Sequence, residues 1–166
     1  KLTRFQAPIL PLGDDRYVIS SGYGFRPTSK NPQRQHDGID IVLANGKDIT
    51  GSKVISFVAG VVSKIQDTPD GYGKVVYVQH GPNFTTVYAH LSQILVKAGS
   101  QVLPETTVLG LAGNSGGSSG PHLHYEIRYI DPQSNKGNVK LINPYLVNNL
   151  PDLIGGKGGS IVPAAG

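Results

Sequence analysis

The sequence contains no cysteine among its 166 residues. This absence excludes a disulfide framework, a metal site built on thiolates and a cysteine nucleophile. Charged residues make up only 16% of the chain, and no apolar run is long enough to cross a bilayer, so we expect no membrane span. A charged-plus-apolar signal segment is also missing and the sequence starts at Lys1 without Met, so we expect a trimmed or mature form.

Glycine and proline are plentiful, with 22 and 12 residues, and they separate a series of short β-rich segments. No stretch has the apolar spacing of an amphipathic helix, and residues 92–97 could form at most a short helical turn. The sequence therefore predicts an all-β fold, mostly antiparallel sheet with little or no helix. The predicted strands cover residues 16–20, 38–43, 53–62 with a break at Gly60, 74–79, 84–90, 108–111 and 122–130.

The length fits one domain with a hydrophobic core, which we expect to occupy residues 1–150. The remaining residues, 151–166, are rich in glycine and predict a C-terminal tail. The net charge is +4 and the pI about 9.3, but the basic residues are scattered and form no nucleic-acid-binding motif. We therefore expect no nucleic-acid partner. The sequence does not determine the oligomeric state, for which we expect a monomer.

The histidines are the residues that indicate chemistry. His122 and His124 lie two apart on a predicted strand and so share a face, and His36 and Asp40, four apart, would share a face on an extended segment. His90 ends the predicted strand 84–90. The fifth histidine, His80, precedes a Gly-Pro turn, and we expect it to be structural or merely exposed.

Imidazole and carboxylate ligands without thiolate suit zinc among the common metal ions. Three protein ligands with an open fourth position are typical of catalytic zinc, which lowers the pKa of a bound water to about 7 and polarises a carbonyl. That chemistry hydrolyses amides without a nucleophilic side chain. The spacing alone does not decide which of His122 and His124 binds the metal.

Three sequence motifs, in order, resemble those of the lysostaphin-type (LytM-like) peptidoglycan endopeptidases. The first combines SGYGFRP at residues 21–27 with HDGIDI at residues 36–41. The second is YAHL at residues 88–91, and the third is GGSSGPHLHYE at residues 116–126. The resemblance extends from about residue 19 to residue 145, which is most of the chain.

The resemblance implies a compact antiparallel β structure with a narrow active-site groove, and a zinc endopeptidase acting on peptide stems or cross-bridges of peptidoglycan. His36, Asp40 and His124 would hold one zinc ion per chain. His122 would be the general base, and His90 would stabilise the oxyanion or share the acid–base work. Residues 28–35 would form one wall of the groove. Such a protein would act outside the cytoplasm, in the periplasm, in the cell wall or as a secreted enzyme.

Three other functions compete with this interpretation. A LytM-like regulator of another wall hydrolase would keep the fold but lack one or more of the five site residues, and none is missing. A secreted protease of Gly-rich proteins would use the same site, and only substrate assays distinguish it. A copper–zinc redox protein would need additional metal-binding histidines and a structural disulfide, and the sequence has neither.

Overall fold

The computed structural model of the protein describes residues 17–21, 24–25, 29, 35–130 and 139–142. Within these residues there is no helix, and accordingly none that could cross a membrane. The predicted all-β fold is confirmed. The strands in chain order are β1 (Tyr17–Ser21), β2 (Gly24–Phe25), β3 (Gln35–His36), β4 (Ile39–Leu43), β5 (Lys53–Ile55), β6 (Gly60–Asp67), β7 (Lys74–His80), β8 (Phe84–Ile94), β9 (Gln101–Val102), β10 (Val108–Ala112), β11 (Leu123–Ile130) and β12 (Val139–Ile142).

Ten of these strands form one antiparallel sheet, whose main path runs β1-β4-β11-β8-β7-β6-β9. Strand β10 pairs with β5 and β8, β12 pairs with β11, and β2 and β3 form a separate two-stranded ribbon. The register places His124 opposite Asp40 on one side and opposite Ala89 on the other. The central strands β4, β11 and β8 therefore lie side by side at the predicted site.

Alternation of side chains gives the sheet two different faces. Ile39 and Ile41 on β4 and Leu123 and Tyr125 on β11 are at most 3% exposed and belong to the main hydrophobic core. The residues between them, Asp40 and His124, must point to the opposite face because successive strand residues alternate. A smaller apolar cluster of Val75, Val87 and Ala89 accompanies them on that second face. Each site residue on these strands is thus flanked by core residues.

The segment predicted as one broken strand at residues 53–62 is two strands, β5 and β6. The Ser56 hydroxyl donates to the Val58 carbonyl and accepts from the Val58 amide, which closes a tight turn between them. Gly60 begins β6, where a Cβ would lie 2.5 Å from the Gln79 carbonyl oxygen. The polar residues after Val62 concealed the true length of β6, because both faces are exposed along much of it.

The prediction that strand 84–90 ends at His90 is wrong, and residues 92–97, which were expected to form at most a short helical turn, contain none. Strand β8 continues to Ile94. Between the pairs Lys74–Leu91 and Val76–Tyr88, β7 advances by two residues while β8 advances by three. His90 occupies this bulge with φ 61°, the left-handed region that few residues other than glycine adopt.

The bulge changes which face each side chain of β8 occupies. Tyr88 and Leu91 both belong to the main core, although they are three residues apart. Ala89 and His90 between them are therefore both directed away from that core, which strict alternation would not allow. Other predictions concern residues outside the described ranges: most of the groove wall at 28–35, the domain limit at 150 and the tail at 151–166.

Candidate metal centre

Three side chains, one from the β2–β3 ribbon and two from neighbouring strands of the large sheet, meet at one point. His36 Nε2 lies 3.1 Å from Asp40 Oδ1, and His124 Nδ1 lies 2.9 Å from the same oxygen. One ligand atom from each of these residues falls within 4.8 Å of the others. Strand β3 supplies the first residue, β4 the second and β11 the third, so the site depends on the pairing of β4 with β11.

The hydrogen bonding of His124 suits a metal ligand. Its Nε2 lies 2.7 Å from Glu126 Oε2, and because a carboxylate only accepts, that nitrogen donates its proton. In the neutral imidazole the lone pair is then on Nδ1, facing Asp40 Oδ1. Two lone pairs 2.9 Å apart repel each other unless a proton or a cation lies between them. The arrangement therefore fits a cation held by imidazole and carboxylate, a donor set that zinc accepts.

The surroundings of Asp40 favour its ionised form. Burial raises the pKa of Asp40, but hydrogen bonds with His124 and His36 and the nearby His122 together hold that pKa well below its ordinary value. The carboxylate is therefore available as an anionic ligand throughout the neutral pH range.

His122 is directed at the same point without joining the three-residue cluster. It precedes β11, paired through an isolated bridge with Gly113. Its Nδ1 lies 2.7 Å from the Gly120 carbonyl, which only accepts, so Nδ1 carries the proton. Its Nε2 lies 3.5 Å from Asp40 Oδ1 and bears the lone pair in the neutral ring. The structure thus distinguishes the two histidines that the spacing left equivalent.

A third imidazole near this point, that of His90, lies on β8. Its ring centre lies 4.8 Å from that of His122 and 6.0 Å from that of His124. Its Nδ1 donates to the Ser115 carbonyl at 2.8 Å, which leaves Nε2 as the free nitrogen. Burial lowers the pKa of His90, although the hydrogen bond to Ser115 opposes the shift. The imidazole is accordingly neutral near pH 7 and can accept a proton.

The sequence profile of peptidase family M23 matches residues 34–144, which is more than half of the chain and includes all five of these residues. The chain belongs to peptidase family M23. The resemblance to lysostaphin-type endopeptidases, drawn from the three motifs, is confirmed.

Known M23 proteins and related peptidases share both sequence and fold with this chain. The peptidoglycan DD-endopeptidase ShyA of Vibrio cholerae is 38% identical over 117 residues, which cover 69% of this chain and 25% of ShyA. A mutant catalytic domain of EnpA, a prophage-encoded M23 protein from Enterococcus faecalis, has a TM-score of 0.65 at 30% identity, covering 84% of this chain and 95% of that one. The catalytic domain of the antimicrobial peptidase lysostaphin from Staphylococcus simulans has a TM-score of 0.61 at 26% identity, covering 77% and 89%.

This M23 chain is short beside its curated relatives. It spans between about a quarter and just over a third of the length of the curated relatives it matches. The comparisons therefore show a peptidase family and a fold. The substrates of those longer proteins are known for those proteins and do not follow for this chain.

Two loops of this M23 chain hold His90 in place. The amide of His90 donates to the Tyr72 carbonyl at 2.9 Å, and its ring donates to the Ser115 carbonyl. The Ser115 hydroxyl accepts from the Lys74 amide at 3.0 Å and donates to the Leu91 carbonyl at 2.5 Å. The turn at residues 71–73 and the loop at residues 114–120 thus fix both ends of the bulge.

These two loops touch each other through glycine. A Cβ on Gly73 would lie 2.5 Å from the Gly116 amide nitrogen, and one on Gly116 would lie 2.4 Å from the Gly73 nitrogen. Both glycines have positive φ, near 65° and 74°. Neither position accepts a side chain without moving the loops apart. Residues 114–120 thus lie in the loop between β10 and β11 and contact the turn at residues 71–73.

His80 lies away from the centre, at the end of β7 on the core face. It is 1% exposed, so the alternative that it is merely exposed is wrong. Its Nδ1 donates to the Ala59 carbonyl at 2.8 Å, and its Nε2 lies 2.7 Å from the Thr86 hydroxyl. Burial lowers the pKa of His80. Its contacts are those of a structural residue.

The residues that contact His124 on the side away from Asp40 were not among the predicted site residues. Glu126 is fully buried and contacts the side chains of Tyr72, His124 and Arg128. Burial raises the pKa of Glu126, and Arg128 opposes that shift. One signal was available: on a strand that places His124 on the metal face, Glu126 and Arg128 must lie on that face as well.

Proposed function

We propose that this chain is a zinc metalloendopeptidase that hydrolyses peptide bonds in the stems or cross-bridges of peptidoglycan. The observation that carries the proposal is the meeting of His36, Asp40 and His124 around one point, with two further imidazoles aimed at it. Three ligands from the protein leave a coordination position for a substrate or water, as in catalytic zinc sites.

His36 Nε2, an Asp40 carboxylate oxygen and His124 Nδ1 would hold the ion. When bound, zinc polarises the scissile carbonyl and lowers the pKa of a water molecule. His122 serves as the general base, because its Nδ1–H is occupied by the Gly120 carbonyl and its Nε2 lone pair faces the centre. A neutral imidazole of this tautomer removes a proton without any rearrangement of its ring.

His90 shares the acid–base work. Its Nδ1–H is occupied by the Ser115 carbonyl, so its Nε2 must take up a proton before it can donate to a developing oxyanion or a leaving amine. The 4.8 Å between the ring centres of His90 and His122 supports a role for both groups in one reaction. His122 would remove a proton from the attacking water as the new C–O bond forms, and His90, protonated beforehand from solvent, would give its proton to the amine as the C–N bond breaks. His122 would then return its proton to solvent, so that the protons balance over one turnover.

Family membership and the names of the relatives support a wall substrate. ShyA, which is named as a peptidoglycan DD-endopeptidase, shares 38% identity over the matched region. A substrate in the cell wall requires an extracytoplasmic location, which we propose for this chain as well. One zinc ion per chain and a monomeric protein complete the proposal.

Mass analysis of peptides released from purified sacculi of several wall types tests the proposal. The zinc-loaded protein should release peptide fragments whose masses identify the bond, chelation should stop release, and added zinc should restore it. His80→Gln serves as an active control, because this residue lies outside the centre, and Asp40→Ala serves as an inactive one.

Three outcomes would contradict the proposal. Activity that is indifferent to chelators, in protein without bound transition metal, would exclude zinc catalysis. Binding to sacculi without release of fragments would favour a regulator of another hydrolase. Cleavage of Gly-rich proteins with no release from any sacculus would favour a general secreted protease.

A further inference from the structure

A buried carboxylate lies directly behind the candidate metal ligand. Glu126 is 0% exposed, although an isolated carboxylate is strongly disfavoured in the interior of a protein. It stands two residues after His124 on β11, on the same face of the sheet. Its burial therefore requires partners that compensate for the lost hydration.

Those partners are three side chains with N–H or O–H groups. Glu126 Oε2 accepts from His124 Nε2 at 2.7 Å and from the hydroxyl of Tyr72, while Oε1 accepts from Arg128 Nε at 2.8 Å. Both carboxylate oxygens are thus occupied by donors. The interaction with His124 assigns its Nε2 as the protonated nitrogen and leaves Nδ1 for the site.

Arg128 is itself held in position. Its guanidinium lies over the ring of Tyr77, 5.5 Å from the ring centre, and only 28% of its side chain is exposed. The ring of Tyr77 also contacts Lys64 Nζ at 5.1 Å. The cation that balances Glu126 is therefore fixed by the sheet surface rather than free in solvent.

Tyr72 connects this carboxylate to the other half of the centre. Its hydroxyl donates to Glu126, its carbonyl accepts from the His90 amide at 2.9 Å, and its ring lies 5.2 Å from that of His124. One residue of the turn at 71–73 therefore contacts both the candidate ligand His124 and the bulge that carries His90.

We propose that Glu126 and Tyr72 are positioning residues of the centre: Glu126 fixes the ring of His124 with Nδ1 directed at the metal, and the Tyr72 hydroxyl fixes Glu126. This inference rests on the proposed function, because it concerns the ligand that function requires. Residues that hydrogen-bond a metal-bound imidazole in this way typically contribute 10–100-fold to metal affinity or activity.

The first measurement is zinc affinity, determined by competition with a chromophoric chelator. Glu126→Gln should weaken zinc binding by about 10–100-fold. Tyr72→Phe, which removes only the hydroxyl, should weaken it by a smaller factor of about three- to tenfold, because one of three donors is lost. Tyr77→Phe is the matched control: it removes a tyrosine hydroxyl on the same face but keeps the ring under Arg128, so its zinc affinity should stay within about twofold of the parent.

The second measurement is independent of activity and of zinc. Long-range ¹H–¹⁵N correlation spectra of the metal-stripped parent should show the neutral His124 ring protonated at Nε2. Glu126→Gln should shift this population, and Tyr77→Phe should not. Melting temperatures of the stripped variants separate loss of folding from loss of affinity, and Tyr72→Phe still tests the inference if Glu126→Gln fails to fold.

Zinc affinities within twofold of the parent for folded Glu126→Gln and Tyr72→Phe would overturn the inference. A parent spectrum with His124 protonated at Nδ1 would overturn it as well. A parent that binds zinc but hydrolyses no sacculus would instead contradict the proposed function, while the affinity series would still decide the role of Glu126.

Discussion

Replacing His90 by alanine should abolish turnover while leaving both the metal and the fold in place. The side chain makes one hydrogen bond, from its Nδ1 to the Ser115 carbonyl, and is 9% exposed. Alanine keeps the same amide, which still donates to the Tyr72 carbonyl. Histidine tolerates the left-handed backbone at this position better than alanine does, so the substitution adds a small strain.

The expected magnitudes separate a catalytic from a structural role. Loss of one ordinary hydrogen bond costs about 1 kcal/mol, which corresponds to roughly 2–4 °C in melting temperature for a chain of this size. Loss of an oxyanion donor or acid–base group costs about a hundred- to a thousandfold in turnover, or roughly 3–4 kcal/mol of activation free energy. The effect of His90→Ala on turnover should therefore far exceed its effect on stability.

The assay combines steady-state kinetics on a wall-derived peptide, zinc content per chain and thermal melting. We expect turnover to fall by about two to three orders of magnitude with zinc retained and with KM changed little, because the group acts mainly in the transition state. His80→Gln is the control, since it removes another buried imidazole from the opposite face. Loss of zinc from His90→Ala would show that His90 is a metal ligand. Near-normal turnover would show that His90 has a structural role.

Five further substitutions test the site and its support. His124→Ala should lose both zinc and activity, whereas His122→Ala should retain most zinc and lose turnover; the reverse result for zinc would exchange their roles. His80→Gln should keep turnover within a few-fold of the parent but lose about 1–3 kcal/mol of unfolding free energy at pH 8. Burial lowers the pKa of His80 from its ordinary 6.5, so the parent should lose stability as pH falls below that value. Urea titrations should therefore show a smaller difference in unfolding free energy between the parent and His80→Gln at pH 5 than at pH 8. An equal difference at the two pH values would contradict the burial of a neutral His80. Both Gly71 and Gly73 have positive φ, but a Cβ added at Gly71 would meet no atom within 4 Å, whereas one at Gly73 would lie 2.5 Å from the Gly116 nitrogen. Gly73→Ala should therefore reduce turnover far more than Gly71→Ala; equal losses would refute the contact argument.

Much of the fold could be predicted from the sequence, and so could the clustering of His36, Asp40 and His124. Short β-rich segments between glycine and proline turns marked β4, β7 and β11, and the two-residue spacing of His122 and His124 placed both near one face. The strand pairings that bring Asp40 opposite His124 could not be derived in this way. They depend on the register between strands that are far apart in the sequence, which the residue pattern does not indicate. The family resemblance implied only which residues would meet at the site.

The bulge in β8 is the clearest case of information that sequence analysis overlooked. A strand that ended at His90 would present its imidazole according to strict alternation, on the core face. The spacing of Tyr88 and Leu91, two core residues three positions apart, indicates a change of phase between them. Nothing in the local sequence requires a positive φ at His90. The backbone conformation of this candidate catalytic residue could therefore be known only from the structure.

Glu126 and Tyr72 were missed for a different reason. A Glu on a predicted strand is interpreted as an exposed residue unless the face on which it lies is known to be buried. The partner that makes its burial acceptable, Tyr72, is 54 residues away and lies in a turn. Such a pair is specified by tertiary contacts alone, and no periodicity in either segment indicates it.

The geometry of the metal centre is determined mainly by the hydrophobic core. A one-residue slip of β4 or β11 would exchange the two faces, exposing Ile39, Ile41 or Leu123 and burying Asp40 or His124. Those three apolar side chains are 0% exposed, and burying each contributes roughly 1.5–3 kcal/mol, or about 5–9 kcal/mol together. A metal present at a hundred times its Kd adds only about 2.7 kcal/mol. The strand register, and with it the position of the ligands, should therefore persist when zinc is removed, in contrast to small domains that fold only around a structural zinc ion.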